Sequence, residues 1–298
     1  MKPLAKYKNG NYTVRIFSDG TKIRQNNLDN FTPDFAESMD VTITTKCNGN
    51  CEWCYLCCNE NGVHADLNQP FFNTVHAGTE MAINGNDLSH PDLENFLIRM
   101  KDKGVLVNMT VNQKHLHLHI NTLIDWQKRN LIWGIGISLT NSNDTNLYED
   151  IQKLDNVVIH VIDGLFTKED IENMKDKHIK LLILGFKHVG RGIEYYNLHK
   201  EEVDSNIDYL DKHIKEYANN FDNIGFDTLS SEDLHMREKV GEKVWSLYHM
   251  GSEGEFTYFI DAVNKKYAVS SMEIENNQYD ILDNVDDMFK EVRKKQGF

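Results

Sequence analysis

The chain has 298 residues, 40% of them hydrophobic, which suffices to bury a sizeable core as one large α/β domain or two small ones. A formal charge of −14 argues against a broad nucleic-acid-binding face, because neutralising phosphates needs clustered Lys and Arg. No apolar run approaches the roughly 18 residues that span a bilayer, and the opening MKPLAKYKNGNYTV has no apolar leader core, so a cytoplasmic protein without membrane contact is expected.

Residues 11–24, NYTVRIFSDGTKIR, alternate apolar and polar positions around Ser18-Asp19-Gly20 and predict an N-terminal β-hairpin, since Asp-Gly tolerates the positive φ of a tight turn. From Asp40 onward short apolar runs alternate with helical patterns: 41–45, 80–84, 105–111, 132–139, 157–162 and 180–186. Six strands separated by candidate helices predict repeated βα units and a parallel sheet, in a barrel-like domain with appendages. Helices are expected over 91–103, opened by His90-Pro91 and closed by Gly104, over 168–177 behind Thr167 as N-cap, and over the charged run 199–219. The pattern then changes to NIGFDTL (223–229) and a helix-like stretch near 231–249. Two strands follow, 256–263 and 265–271, forming a terminal hairpin at Asn264, and then a peripheral helix around 285–295.

All five cysteines fall in TKCNGNCEWCYLCC, directly after the first strand of the repeating units. A clustered odd number is a poor disulfide framework, because bridges stabilise most by tying distant segments together, and a reducing compartment fits better. The spacing places Cys47, Cys51 and Cys54 so that three thiolates can wrap one small inorganic core, with Asn48, Gly49 and Asn50 giving the backbone freedom to fold around it. Two other readings stay open. A zinc knot would take His64 as its nearest extra ligand, and an electron-transfer cluster would be closed by Cys57.

Cys47-x3-Cys51-x2-Cys54, with Trp53 before the third cysteine, resembles the signature of the radical S-adenosylmethionine (radical SAM) superfamily. The resemblance implies a partial (β/α)6 TIM-like barrel over 40–220, with an N-terminal hairpin and linker over 1–39 and a C-terminal α/β extension over 221–298. It also implies a [4Fe–4S] cluster on Cys47, Cys51 and Cys54 whose open iron chelates SAM, an oxygen-sensitive enzyme, and an electron donor such as flavodoxin or ferredoxin. Asn84-Gly85-Asn86-Asp87 stands where the family has Gly-Gly-Glu, so Asn86 would meet the SAM ammonium without charge assistance and Asp87 would supply the charge. An Asn-Gly turn leading into a helix is the plain alternative.

By the same resemblance Ser138 and Thr140, followed by Asn141, match ribose contacts, Gly164 matches the adenine-facing segment, and Lys187 and Arg191 match the adenine or methionine edge. The plain alternatives are a polar strand end at Ser138 and a glycine-rich loop with solvated basic residues around Lys187, and Tyr55, beside the third cysteine, is either over SAM or an aromatic core contact. Residues 254–271 resemble the C-terminal hairpin of members with SPASM or twitch extensions. No cysteine follows Cys58, so that cap is expected to lack a cluster. The N-terminal hairpin and the Gly62–Leu67 segment are similar to small phage and bacterial members.

Cys57 and Cys58 are then spare thiols, either hydrogen donors or nucleophiles in catalysis or small apolar packing residues. His64 and Asp66 either line the cavity or form a surface turn. His115-x-His117-x-His119, placed between a strand and the next helix, is either a metal site or a solvated polar stretch. The expected function is hydrogen abstraction from a peptide or small-molecule substrate. The alternatives are a glycyl-radical activating enzyme, or a non-catalytic iron–sulfur or zinc protein.

Overall fold

The structure, a computed structural model, describes residues 3–28, 30–273 and 275–298. The chain turns at Ser18-Asp19-Gly20 as the sequence predicts. Strand β1 (Ala5–Asn9) precedes the hairpin of β2 (Tyr12–Ile16) and β3 (Lys22–Gln25), giving a three-stranded antiparallel sheet in which Arg15 faces Ile23. Glu37 is fully buried beneath it, where Arg24 and Lys22 neutralise it and the Tyr12 hydroxyl donates to it at 2.6 Å.

The βα pattern builds a second, larger sheet. Its strands are β4 (Ser38–Thr42), β5 (Glu80–Asn86), β6 (Leu106–Asn112), β7 (Gly134–Ser138), β8 (Val157–Ile162), β9 (Lys180–Leu184), β10 (Asn223–Phe226), β11 (Thr257–Asp261), β12 (Lys266–Ala268) and β13 (Tyr279–Asp280). Strands β4 to β10 lie side by side in chain order and all run parallel. Strand β11 returns beside β4, again parallel, and β12 and β13 continue antiparallel. The sheet is therefore a mostly parallel, ten-stranded one whose ends, β10 and β13, do not pair; among the described residues no closed barrel forms.

The helices are α1 (Leu93–Asp102), α2 (Gln113–Lys128), α3 (Thr145–Ile151), α4 (Lys168–Met174), α5 (Arg191–Tyr217), α6 (Thr228–Asp233), α7 (Met236–Val240), α8 (Glu242–Tyr248) and α9 (Val285–Gln296). Strands added in one direction by right-handed crossovers put their connecting helices on one face. That face is the core: Met81, Val107, Met109, Ile135, Ile137, Ile159 and Ile183 pack with Phe96 and Leu97 of α1, Leu116 and Leu123 of α2, and Leu210 of α5. Each such fully buried side chain contributes roughly 1.5–3 kcal/mol over leaving it exposed. Among the described residues no helix is long and apolar enough to cross a membrane.

Several expectations shift. The predicted terminal hairpin forms, with Phe259 opposite Ala268, but Phe259 also pairs with Asp40, so the hairpin is part of the main sheet. The stretch 231–249 is three short helices, because His235 (φ 48°) and Gly241 (φ 79°) adopt left-handed or otherwise non-helical backbone. The helix expected from 199 begins at Arg191 and kinks at His199. The first strand lies at 38–42 rather than 41–45, since from Ile43 the chain leaves the ladder for the cysteine loop. The His115-x-His117-x-His119 run lies within α2, where residues two apart do not share a face, so the strand-based argument for a metal site fails.

Candidate active site

The cysteine loop is held from three directions. A register shift around Gly85 lets Asn84 and Asn86 both point toward the loop, while Gly85 faces Met109 so closely that a Cβ would stand 2.7 Å from it. The Asn84 amide accepts from the Ile43 N–H and donates to the Thr44 carbonyl, each at 2.7 Å. Asn86, at φ 49°, donates to the carbonyls of Thr44 and Lys46 and, at 3.5 Å, to Cys58 Sγ. Short Asn side chains tolerate this left-handed conformation better than most residues.

The second support is the start of α5. The Arg191 N–H donates to the Cys54 carbonyl and its guanidinium to the Cys58 carbonyl at 2.9 Å. Gly190, at φ 58°, lies so near that a Cβ there would stand 2.3 Å from the Tyr55 carbonyl oxygen. The third support is the β6–α2 junction, where Asn112 donates to Cys51 Sγ at 3.9 Å and His115 Nε2 meets Asn48 Oδ1 at 2.6 Å.

Cys47, Cys51, Cys54 and Cys58 line a cavity of about 2000 Å³. Gly49 packs close beside two of them: a Cβ there would lie 3.2 Å from Cys47 Sγ and 3.8 Å from Cys51 Sγ. Burial pushes the Cys47 and Cys51 thiols up. A hydrogen bond from the Cys58 thiol favours the Cys54 thiolate and lowers it, and the same contact raises Cys58. Among the described residues no group of three or more His, Cys, Asp or Glu side chains is placed to hold a metal ion.

The cavity lies on the sheet face opposite the connecting helices α1 to α5. Register places Asn112, Ser138 and His160 in one row across β6, β7 and β8, and the His160 ring fills the space over Gly136, where a Cβ would fall 2.3 Å from it. Helices α6 to α8 close the outer side while burying only Ser230 and no residue of α7 or α8.

Of the residues expected from the sequence, Tyr55, Asn84, Asn86, Ser138, Thr140 and Lys187 line this cavity with the four thiols. Asn86 does so with its amide donors taken up by the loop. Five do not line it. Gly85 is turned toward Met109, and Asp87 holds the Ser89 hydroxyl at 2.5 Å. The close approach that Gly164 permits is to Val203 and Phe186. Arg191 is occupied beneath the loop, and Cys57 is exposed, its sulfur against Gly190. His64 Nδ1 meets Thr44 Oγ1 at 2.8 Å and Asp66 accepts from the Asn68 N–H, so both serve the loop's return and neither lines the cavity.

Lining residues that the sequence reading missed include Asp40, Asn112, His160 and Asp227. A lone His in the apolar run VVIHVI was the available signal for His160. Burial holds its pKa down to about 4, so the imidazole is neutral. Burial likewise raises Asp40 and lowers Lys187, although Asp227 and Asp40 partly offset the effect on Lys187. No family model matches this chain, and no curated protein is similar to it.

Proposed function

We propose that this chain is a radical SAM enzyme, its parallel strands β4 to β9 forming the partial (β/α)6 barrel of that family and its cysteine loop holding a [4Fe–4S] cluster. The observation that carries the reading is the position of Cys47, Cys51 and Cys54: directly beyond the C-terminal end of β4, all facing one large cavity. Chemistry in parallel α/β folds gathers at that edge. Gly49 supports the reading: a Cβ there would crowd Cys47 Sγ at 3.2 Å and Cys51 Sγ at 3.8 Å, so glycine keeps the ground beside these two thiols clear for a bound group.

Cys47, Cys51 and Cys54 would hold the cluster, and Asn112, with its N–H on Cys51 Sγ, would support it from outside. Such a cluster supplies the electron that cleaves SAM and thereby a carbon radical able to take hydrogen from an unactivated C–H bond. The chain's own task is to orient substrate and keep water out. Ligand cavities are commonly about 300–1,000 Å³. At about 2000 Å³ this one has room for SAM and a peptide or small-molecule substrate. Ser138, Thr140, Tyr55 and Lys187 are the SAM contacts this reading retains, a flavodoxin or ferredoxin is its electron donor, and the cytoplasm its compartment. A glycyl-radical activating enzyme shares the first step. A non-catalytic iron–sulfur or zinc protein is the second reading, favoured by one observation: the Asn86 oxygen, the acceptor a SAM ammonium would need, is already approached by the Asn84 amide N–H at 3.4 Å.

The test is anaerobic reconstitution with iron and sulfide, then reduction with SAM, following 5′-deoxyadenosine in wild type and Cys51→Ala. Release by wild type alone is expected. An assembled cluster that cleaves no SAM would overturn the enzyme reading.

A further inference from the structure

The sheet that carries the cavity ends on an open edge. Strand β10 pairs with β9 alone, in unbroken register from Asn223 opposite Lys180 to Phe226 opposite Ile183. Among the described residues no backbone group outside β9 bonds to any of its residues, and none of them is buried. Open edges invite pairing with another chain, and proteins blunt them with charge, proline, bulges or brevity. The other edges here are blunted: β1 carries Lys6 and Lys8, β3 carries Lys22 and Arg24, and β13 is only Tyr279 and Asp280. Asn223-Ile224-Gly225-Phe226 has none of these devices.

Gly225 points to what the edge takes. A glycine inside a strand weakens it and marks a close approach by a ligand or another chain. Elsewhere in this sheet a side chain of the neighbouring strand makes that approach: Met109 over Gly85, Asn108 over Gly134 and His160 over Gly136, at 2.7, 2.8 and 2.3 Å from where a Cβ would fall. A Cβ on Gly225 would meet nothing nearer than Leu182 Cδ1, at an ordinary 3.4 Å, and no positive φ calls for glycine there. On its outer side no strand stands to cover it. All of β10 lines the cavity that holds the thiols, as do Val240, Val244 and Tyr248 of α7 and α8, apolar side chains left exposed. We infer that β10 receives an extended segment of a peptide substrate as an added strand. The peptide's main chain pairs with the free edge, a large aromatic side chain lies across Gly225, and apolar residues meet Val240, Val244 and Tyr248. Asp222 and Asp227 flank the strand, which favours a peptide with basic ends. They also oppose a second copy of the chain, whose antiparallel β10 would set Asp222 of each copy against Asp227 of the other. The inference rests on the reading of the cavity as the active site and narrows its substrate class to peptides.

The test selects binders of the full chain, as purified, from a random-peptide library and measures the best one, made synthetically, by fluorescence anisotropy. Selected peptides are expected to alternate apolar residues, to include an aromatic one and to prefer Lys or Arg at their ends. An added strand bonds along one side only, so methylating one alternate set of its backbone nitrogens should weaken binding about tenfold while methylating the other set should not. Replacing the aromatic residue by glycine should cost about tenfold or more, through the lost burial of one large side chain. Gly225→Val should abolish that difference while keeping at least the wild-type urea midpoint, since valine suits a strand. The methylated series on wild type needs no variant to fold. Failure to select any peptide, equal loss from both methylated sets, or binding indifferent to Gly225→Val would each overturn the inference. A wild-type dimer that Gly225→Val dissolves would overturn it too, by giving the edge to a second copy. Peptide binding without SAM cleavage by the reconstituted chain would sink the radical reading and leave the strand site standing; SAM cleavage without peptide binding would do the reverse.

Discussion

His115 on α2 reaches into the cysteine loop and places Nε2 2.6 Å from Asn48 Oδ1, one residue beyond Cys47. The ring is buried and burial lowers its pKa, so it holds the loop as a neutral imidazole. Groups that orient ligands from outside commonly contribute 10–100-fold in metal affinity. His115→Ala is therefore expected to retain roughly a tenth or less of the wild-type iron after reconstitution and desalting. Iron and acid-labile sulfide per chain are the readout, and wild-type retention would show that the contact does not position the thiols.

Gly190 carries the opposite wall of the loop. At φ 58°, with no room for a Cβ beside the Tyr55 carbonyl, Gly190→Ala combines backbone strain with a clash. A loss of roughly 1–3 kcal/mol in unfolding free energy is expected, along with weaker iron retention. Urea denaturation checks the first and iron analysis the second; an unchanged midpoint would remove the strain argument.

His117 bridges Asp144 and Asp150, at 2.7 Å from each, and so clamps α2 to α3. Burial works against its charge, but hydrogen bonds to the two carboxylates outweigh burial and raise its pKa. The stabilisation is therefore complete below the unfolded histidine pKa of about 6.5 and is lost as pH rises through the raised folded value. For Asp144 and Asp150 burial is likewise outweighed, and both are lowered, so their share is lost as pH falls through their folded values. His117→Gln should cost about 1 kcal/mol at pH 6, after allowance for partial exposure, and less at pH 9. Thermal melts of both proteins across that range would show it, and a pH-independent difference would refute the clamp.

Asp163 is fully buried at the end of β8. Its Oδ1 accepts from the Gly164 and Phe186 N–H groups, while Oδ2 has no partner among the described residues. Burial, then the Asp233 carboxylate, pushes its pKa up to about 7. With the folded value raised, its contribution is full below the unfolded pKa of about 4 and lost as pH rises through about 7. Asp163→Asn keeps the oxygen that accepts both N–H groups and removes the titration. It should be roughly 1–3 kcal/mol more stable than wild type at pH 8 and nearly equal at pH 4.5. A parallel pH dependence of the two proteins in urea would exclude ionisation of Asp163 as the cause.

Much of the fold was legible because each repeating unit announces itself locally. Val157–Ile162 forms as expected because five of its six residues are β-branched, only His160 breaking the run, and Thr167 caps α4 with Asp170 completing the reciprocal pair of hydrogen bonds. The helix expected after the histidine run begins earlier than the sequence suggests: the alternating histidines imitate a strand, and only the burial of His115, Leu116, Leu123 and Trp126 along one helical stripe places them in α2.

The sequence by itself determined the thiol spacing, the parallel strands and the turn chemistry, since these depend on residues within a few positions of one another. Tertiary structure alone decided that β11 returns beside β4, that Asn86 serves the loop, that Cys57 points away while Cys58 faces the cavity, and that Asp40 and Lys187 share it. Those relationships join residues far apart in the chain. Which face of a strand meets helices and which meets a cavity is set by the sense of every crossover together, and no local window of sequence contains that information.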